Sequence, residues 1–118
     1  MDEILMHRID SLLKNINLII SDTHNKTYEE FASSELLIRA TCFSIEQIGE
    51  QMNSLEKKIG KKYPNVPWSK AIGMRIMIAH IYSKVEPEVV YKTAINDIPL
   101  LKEQFLAIKS ELAVLDNN

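Results

Sequence analysis

Proline and glycine occur at so few positions that most of this chain is free to form helices. The 118 residues contain three glycines and four prolines, and none of them precedes Gly49. Glycine and proline are the residues that most strongly oppose helix formation, so long helices are favoured throughout. We find no short alternating segments joined by a turn that would predict a β-hairpin.

The first half of the chain has apolar residues at helical spacing. Helix one is predicted near residues 2–21, and Thr27-Tyr28-Glu29-Glu30 fits a capping box that starts a short helical stretch. A longer helical pattern runs from about Ser34 to Ile59, and Gly60 suits the end of that helix. These patterns predict two long helices with a short helical turn between them.

Prolines divide the second half. Residues 61–66 form a predicted connector, and Pro67 suits the first position of a third helix that reaches at least Ala79. After a second predicted connector at residues 83–86, Pro87 opens a last helix that runs to about Leu112 and should be kinked by Pro99. The sequence therefore predicts an all-α fold, an up-and-down helical bundle of four main helices plus a short extra helical turn, in one domain over residues 1–118.

Composition excludes several classes of function. The net charge is −2, from 14 basic and 16 acidic residues, so any RNA contact has to be local and no DNA binding is expected. Apolar runs are too short to span a membrane and the acidic start is unlike a signal peptide, so we expect a cytoplasmic protein. The single cysteine, Cys42, is expected to be a buried small hydrophobe. His7, His24 and His80 show no metal-binding spacing, so neither a metal nor a cofactor is predicted.

Several motifs resemble those of one protein family, in the same order. They are Ile48-Gly49-Glu50, the stretch from Val66 to Arg75, His80-Ile81-Tyr82, Val89-Val90-Tyr91 and Asp97-Ile98-Pro99-Leu100. Together they resemble the HepT-like branch of the HEPN superfamily over nearly the whole chain. The family arginine is commonly followed by asparagine, and Ile76 stands there in this sequence, with a side chain that cannot form hydrogen bonds.

The resemblance implies a metal-independent endoribonuclease that uses the 2′-hydroxyl of RNA as the nucleophile. Its catalytic residues would be His80, as general acid or base, and Arg75, as a phosphate clamp. The family is usually homodimeric. It also implies a type VII-like toxin of a HEPN/MNT toxin–antitoxin pair, neutralised when an MNT nucleotidyltransferase antitoxin attaches AMP to Tyr82. Glu46, Glu50 and Lys84 would be supporting residues.

Simpler structural roles remain open for these residues. Arg75 is also suited to an ion pair with Glu46 or Glu50, and His80 to an ordinary position at a helix end. Tyr82 is suited to packing against Trp68 or Met74, and Trp68 is more typical of a core anchor than of a base-stacking platform. Glu46, Gln47 and Glu50 are also typical of a solvated helix face.

Helical geometry places a condition on the proposed pair. At about 100° per residue, positions 75 and 82 lie on nearly one face, while position 80 is about 140° from position 75. Either the helix ends near His80, or the site is completed across two subunits related by a twofold axis. In a dimer, Lys70 and Lys84 are candidates to add positive charge beside Arg75.

Two rival functions fit the same sequence. One is a non-catalytic helical module that binds a nucleotidyltransferase and helps present substrate to it, which Ile76 and the acidic net charge favour. The other is a structural bundle that only dimerises. This function explains the helical pattern but gives no reason for the spacing of Arg75, His80 and Tyr82.

Overall fold

The computed structural model describes residues 2–84 and 86–116, with side chains for all of these except residues 77, 79–84 and 116. Over these ranges the chain is helical and contains no strand. The elements are α1 (Glu3–Thr23), α2 (Tyr28–Ala32), α3 (Glu35–Ile59), α4 (Trp68–Lys84), α5 (Pro87–Lys92), a π-helical turn (Thr93–Asp97) and α6 (Ile98–Asp116). The predicted all-α bundle, with its short extra helical segment α2, is confirmed.

The helix starts in the first half of the chain are fixed by side-chain caps. Thr27 and Glu30 form the predicted capping box, in which each side chain accepts a hydrogen bond from the other residue's backbone N–H, at 3.1 and 3.0 Å. At the start of α1 the Asp2 side chain accepts a hydrogen bond from the backbone N–H of Leu5, and at the start of α3 the Ser34 side chain accepts one from the backbone N–H of Leu37. Such caps satisfy backbone N–H groups that have no partner inside the helix.

The bundle is built around α3, which packs against both α1 and α4, while α1 also packs against α6. Lys58 near the end of α3 pairs with Asp2 before α1, at 3.1 Å, so these two helices are antiparallel. The shared core is aliphatic, with two buried phenylalanines, Phe31 and Phe105. Cys42 is 2% exposed, as predicted, and burial raises the pKa of its thiol.

Trp68 anchors the start of α4 in the core. Its side chain is 6% exposed, and its indole N–H donates to the carbonyl of Tyr63 at 2.9 Å. The ring meets Phe105 of α6 edge to face, with the ring centres 5.9 Å apart. This confirms the predicted role as a core anchor.

Pro99 produces a local change of helix type. Pro87 begins α5 as predicted, and the π-helical turn Thr93–Asp97 lies directly before α6, with the N–H of Ile98 donating to the carbonyl of Thr93. Inside an α-helix the ring of Pro99 would collide with the carbonyl of residue 95. The wider turn falls on the residues where that collision would occur.

Of the two alternatives left open for α4, an end near His80 is not found. The helix continues to Lys84, because no glycine or proline lies between Gly73 and Pro87 to stop it. Residues 83 and 84 of the predicted connector at residues 83–86 are therefore helical, contrary to the prediction. None of the helices in the described part of the chain has both the length and the apolar character needed to cross a bilayer.

Candidate functional site

Arg75 on α4 forms an ion pair with Glu50 on α3. The distance from Arg75 Nη2 to Glu50 Oε1 is 2.5 Å, and the two side chains are 36% and 49% exposed. Of the two partners considered from sequence, the structure selects Glu50, while Glu46 is exposed and forms no ion pair with Arg75. The guanidinium is thus held in one direction yet stays accessible to a ligand from solvent.

The alkyl part of Arg75 lies directly against the backbone of α3 at Gly49. A Cβ built on Gly49 would stand 2.7 Å from Cδ of Arg75 and nearer still to its Cγ. The Arg75 Nε atom is buried there and has no hydrogen-bond partner among the described residues. Sequence reasoning missed this role of Gly49, although a glycine inside a long helix, directly before Glu50, was a signal that close approach is needed.

Exposed apolar side chains lie beside Arg75 on α4 and further along the face of α3 that carries Glu50. Leu36, Phe43 and Glu50 are spaced by seven residues, so they lie within about 40° of one another around α3, a set we name the α3 stripe. Leu36 and Phe43 are 69% and 62% exposed, and Ile76, next to Arg75, is 68% exposed. Large apolar side chains grouped on a surface are typical of an interaction site.

Lys70 lies elsewhere. Its ammonium group pairs with Asp97 of the π-helical turn at 3.2 Å, and five residues separate it from Arg75 along α4. This spacing turns it about 140° away from Arg75 around the helix axis. Within one protomer the structure does not bring Lys70 to the Arg75–Glu50 pair.

His80, Tyr82 and Lys84 belong to α4, but their side chains lie outside the described residues. Their predicted roles therefore stay predictions. The continuous helix does fix the angular positions, with position 80 about 140° from position 75 and position 82 about 20° from it. Completion of the site across two subunits therefore also stays a prediction.

Comparison of the sequence with known proteins identifies the family. Residues 12–108 match the family described as "Ribonuclease HepT-like". The chain belongs to this HepT-like ribonuclease family of the HEPN superfamily, as the motifs predicted.

Two relatives illustrate the extent of the similarity. A Methanocaldococcus jannaschii protein named "Putative RNase MJ1216" is 34% identical over 107 residues, which cover 91% of this chain and 88% of the relative. A Thermococcus cleftensis protein named "Probable ribonuclease HepT" is 29% identical over 97 residues, which cover 82% of this chain and 88% of the relative. No solved structure matches.

Proposed function

We propose that this protein is a metal-independent endoribonuclease whose catalytic residues are Arg75 and His80. The observation that carries the proposal is the accessible guanidinium of Arg75, which forms an ion pair with Glu50 of α3. Arg75 and His80 lie on the same unbroken helix, α4, in a chain of the HepT-like family. An arginine presents a planar set of donors that fits phosphate oxygens, and it keeps its charge at any physiological pH. A histidine exchanges protons near neutral pH.

The reaction needs only these two functions and the RNA itself. The 2′-hydroxyl oxygen forms a bond to the adjacent phosphorus, and the bond from phosphorus to the 5′-oxygen breaks. One proton leaves the 2′-hydroxyl and one reaches the 5′-oxygen, with His80 as acid or base in the transfer. Arg75 donates to the non-bridging oxygens, where negative charge grows in the transition state. The products are a 2′,3′-cyclic phosphate and a 5′-hydroxyl.

We further propose that the working form is a homodimer. Positions 75 and 80 face directions about 140° apart on one helix, so a twofold axis is the simple way to bring Arg75 of one protomer near His80 of the other. Ile76 beside Arg75, and Leu36 and Phe43 further along the Glu50 face of α3, are exposed apolar side chains that a second copy would cover. Pairing two sites also concentrates positive charge that the chain, with its net charge of −2, otherwise lacks.

Regulation is proposed to act through Tyr82. AMP on this tyrosine, attached by a cognate MNT-type nucleotidyltransferase, would add an anionic group on nearly the same face of α4 as Arg75. The phosphate would compete with RNA for the guanidinium and repel its backbone. In this proposal the protein is the toxin and the nucleotidyltransferase is its antitoxin, in a type VII-like pair.

The deciding experiment is cleavage of RNA by purified protein in excess EDTA, with analysis of the product ends. Wild type is expected to leave 2′,3′-cyclic phosphates, and Arg75→Ala and His80→Ala to lose the activity while keeping wild-type far-UV circular dichroism. Chelator-resistant cleavage no greater than that of His80→Ala would reject the enzyme.

That negative result would favour a non-catalytic partner of a nucleotidyltransferase. One observation supports this second function: Ile76 is 68% exposed at the position where asparagine is common in the family. Binding to the cognate nucleotidyltransferase without RNA cleavage would establish it.

A further inference from the structure

We propose that Gly49 is a positioning residue for Arg75, and that its lack of a side chain is what allows the guanidinium to reach Glu50. Gly49 lies inside α3, is buried, and has an ordinary helical backbone with a negative φ. No backbone conformation requires glycine here. Because glycine is disfavoured inside helices relative to alanine, its presence needs another reason.

The reason lies in the space that a side chain would take. A Cβ on Gly49 would meet Cγ and Cδ of Arg75, the second at 2.7 Å, while the next nearest atom, the Ala71 carbonyl oxygen, is at an ordinary 3.5 Å. The collision would therefore be with Arg75 alone. Cγ and Cδ lie near the root of the side chain, so relief requires a different rotamer, which redirects the whole guanidinium.

Two consecutive residues of α3 thus fix the two ends of the Arg75 side chain. Gly49 gives room for the alkyl part, and Glu50 binds the guanidinium through its carboxylate. Glycine at position 49 acts only through Arg75. Its effect on cleavage rests on the proposed ribonuclease activity, whereas its effect on the position of Arg75 is measurable in the free protein.

Gly73 provides a matched control. It lies in α4, two residues from Arg75, and a Cβ built on it meets no atom of the described residues within 4 Å. Gly73→Ala is expected to raise the melting temperature slightly through helix propensity and to leave cleavage unchanged. Gly49→Ala gains the same propensity but is expected to lower kcat about tenfold or more, with a smaller change in KM, since Arg75 acts chiefly on the transition state.

A double-mutant cycle separates positioning of Arg75 from a general packing defect. Arg75→Ala removes Cγ and Cδ, so Gly49→Ala should cost stability in wild type and none in the Arg75→Ala background. The Nε–H resonance of Arg75 in a ¹⁵N spectrum should shift in Gly49→Ala and stay in place in Gly73→Ala.

An equal loss of melting temperature in both backgrounds, or an unmoved Arg75 resonance, would overturn the proposal. If Gly49→Ala fails to fold but Gly49→Ala/Arg75→Ala folds, the proposal is supported; if neither folds, it is rejected. Should wild type not cleave RNA, the proposed function fails, and the stability cycle and the resonance still decide the role of Gly49.

Discussion

The Tyr63 hydroxyl donates to the Glu111 carboxylate at 3.0 Å, which ties the connector between α3 and α4 to the last turns of α6. Burial and this acceptor raise the pKa of Tyr63 from 10.0 to about 12. Burial favours the neutral phenol, and the negative Glu111 disfavours a second negative charge beside it. We expect an ultraviolet titration to show one tyrosine that ionises near pH 12.

The raised pKa of Tyr63 makes the stability of the fold decrease at alkaline pH. Because the pKa of Tyr63 in the folded state lies above its ordinary value of 10.0, the linked stability is present below pH 10 and is lost as pH rises through about 12. Glu111→Gln should lower the pKa of Tyr63, and Tyr63→Phe should remove the ionisation near pH 12 from the titration. A wild-type titration in which every tyrosine ionises below pH 11 while circular dichroism still reports folded protein would contradict this.

Much of the fold could be predicted because its causes are local. The capping box at Thr27 and Glu30 and the proline at the start of α5 each depend on a few neighbouring residues. The end of α4 was mispredicted because a polar stretch such as Ser83-Lys84 does not itself stop a helix. The contact of Arg75 with Gly49 joins two helices that are distant in sequence, so it is seen only in the packed structure. Gly49 permits this contact because it has no side chain.

Glu50→Gln is expected to reduce RNA cleavage about tenfold with little loss of stability. The ion pair with Arg75 is substantially exposed, and such pairs contribute only about 0.2–1 kcal/mol to folding. The larger effect is on cleavage, since the guanidinium loses the charge that orients it. Glu46→Gln is the control, because Glu46 is exposed on the same helix without an ion pair to Arg75. Similar kinetics for the two variants would argue against an orienting role for Glu50.

Phe43→Asp is expected to convert the proposed dimer to monomers and to abolish cleavage, because it places a charge in the apolar part of the α3 stripe. Leu100→Asp is the matched control, since Leu100 has a similar exposure of 61% but lies on α6. Light scattering at micromolar concentration measures both masses. A monomeric wild type would refute the dimer, and dimeric Phe43→Asp would place the interface elsewhere.

Ile76→Asn is expected to raise the rate of RNA cleavage, because it supplies a polar side chain next to Arg75. Ile76 is 68% exposed, so the stability of the monomer should change by no more than about 0.5 kcal/mol. Single-turnover cleavage of one RNA substrate compares the variant with wild type. An unchanged rate would mean that this position does not limit the chemistry.

Tyr82→Phe is expected to separate activity from silencing. The variant should retain cleavage but no longer accept AMP, because it lacks the hydroxyl oxygen that would bond to phosphorus. Intact-mass spectrometry after incubation with the cognate nucleotidyltransferase and ATP should show adducts on wild type only. Adducts that persist on Tyr82→Phe would assign the modification to another residue, and lost cleavage before modification would instead assign the hydroxyl to RNA binding.

The π-helical turn Thr93–Asp97 also marks where this chain tolerates a change of length. A π turn holds about one residue more than an α turn, so a relative without proline at position 99 can lose one residue here and keep its later side chains facing the core. The same deletion within α6 would rotate Phe105 or Ile108 by about 100°, out of the core. Alignment gaps among relatives should therefore gather at this turn and be rare in the helix beyond it.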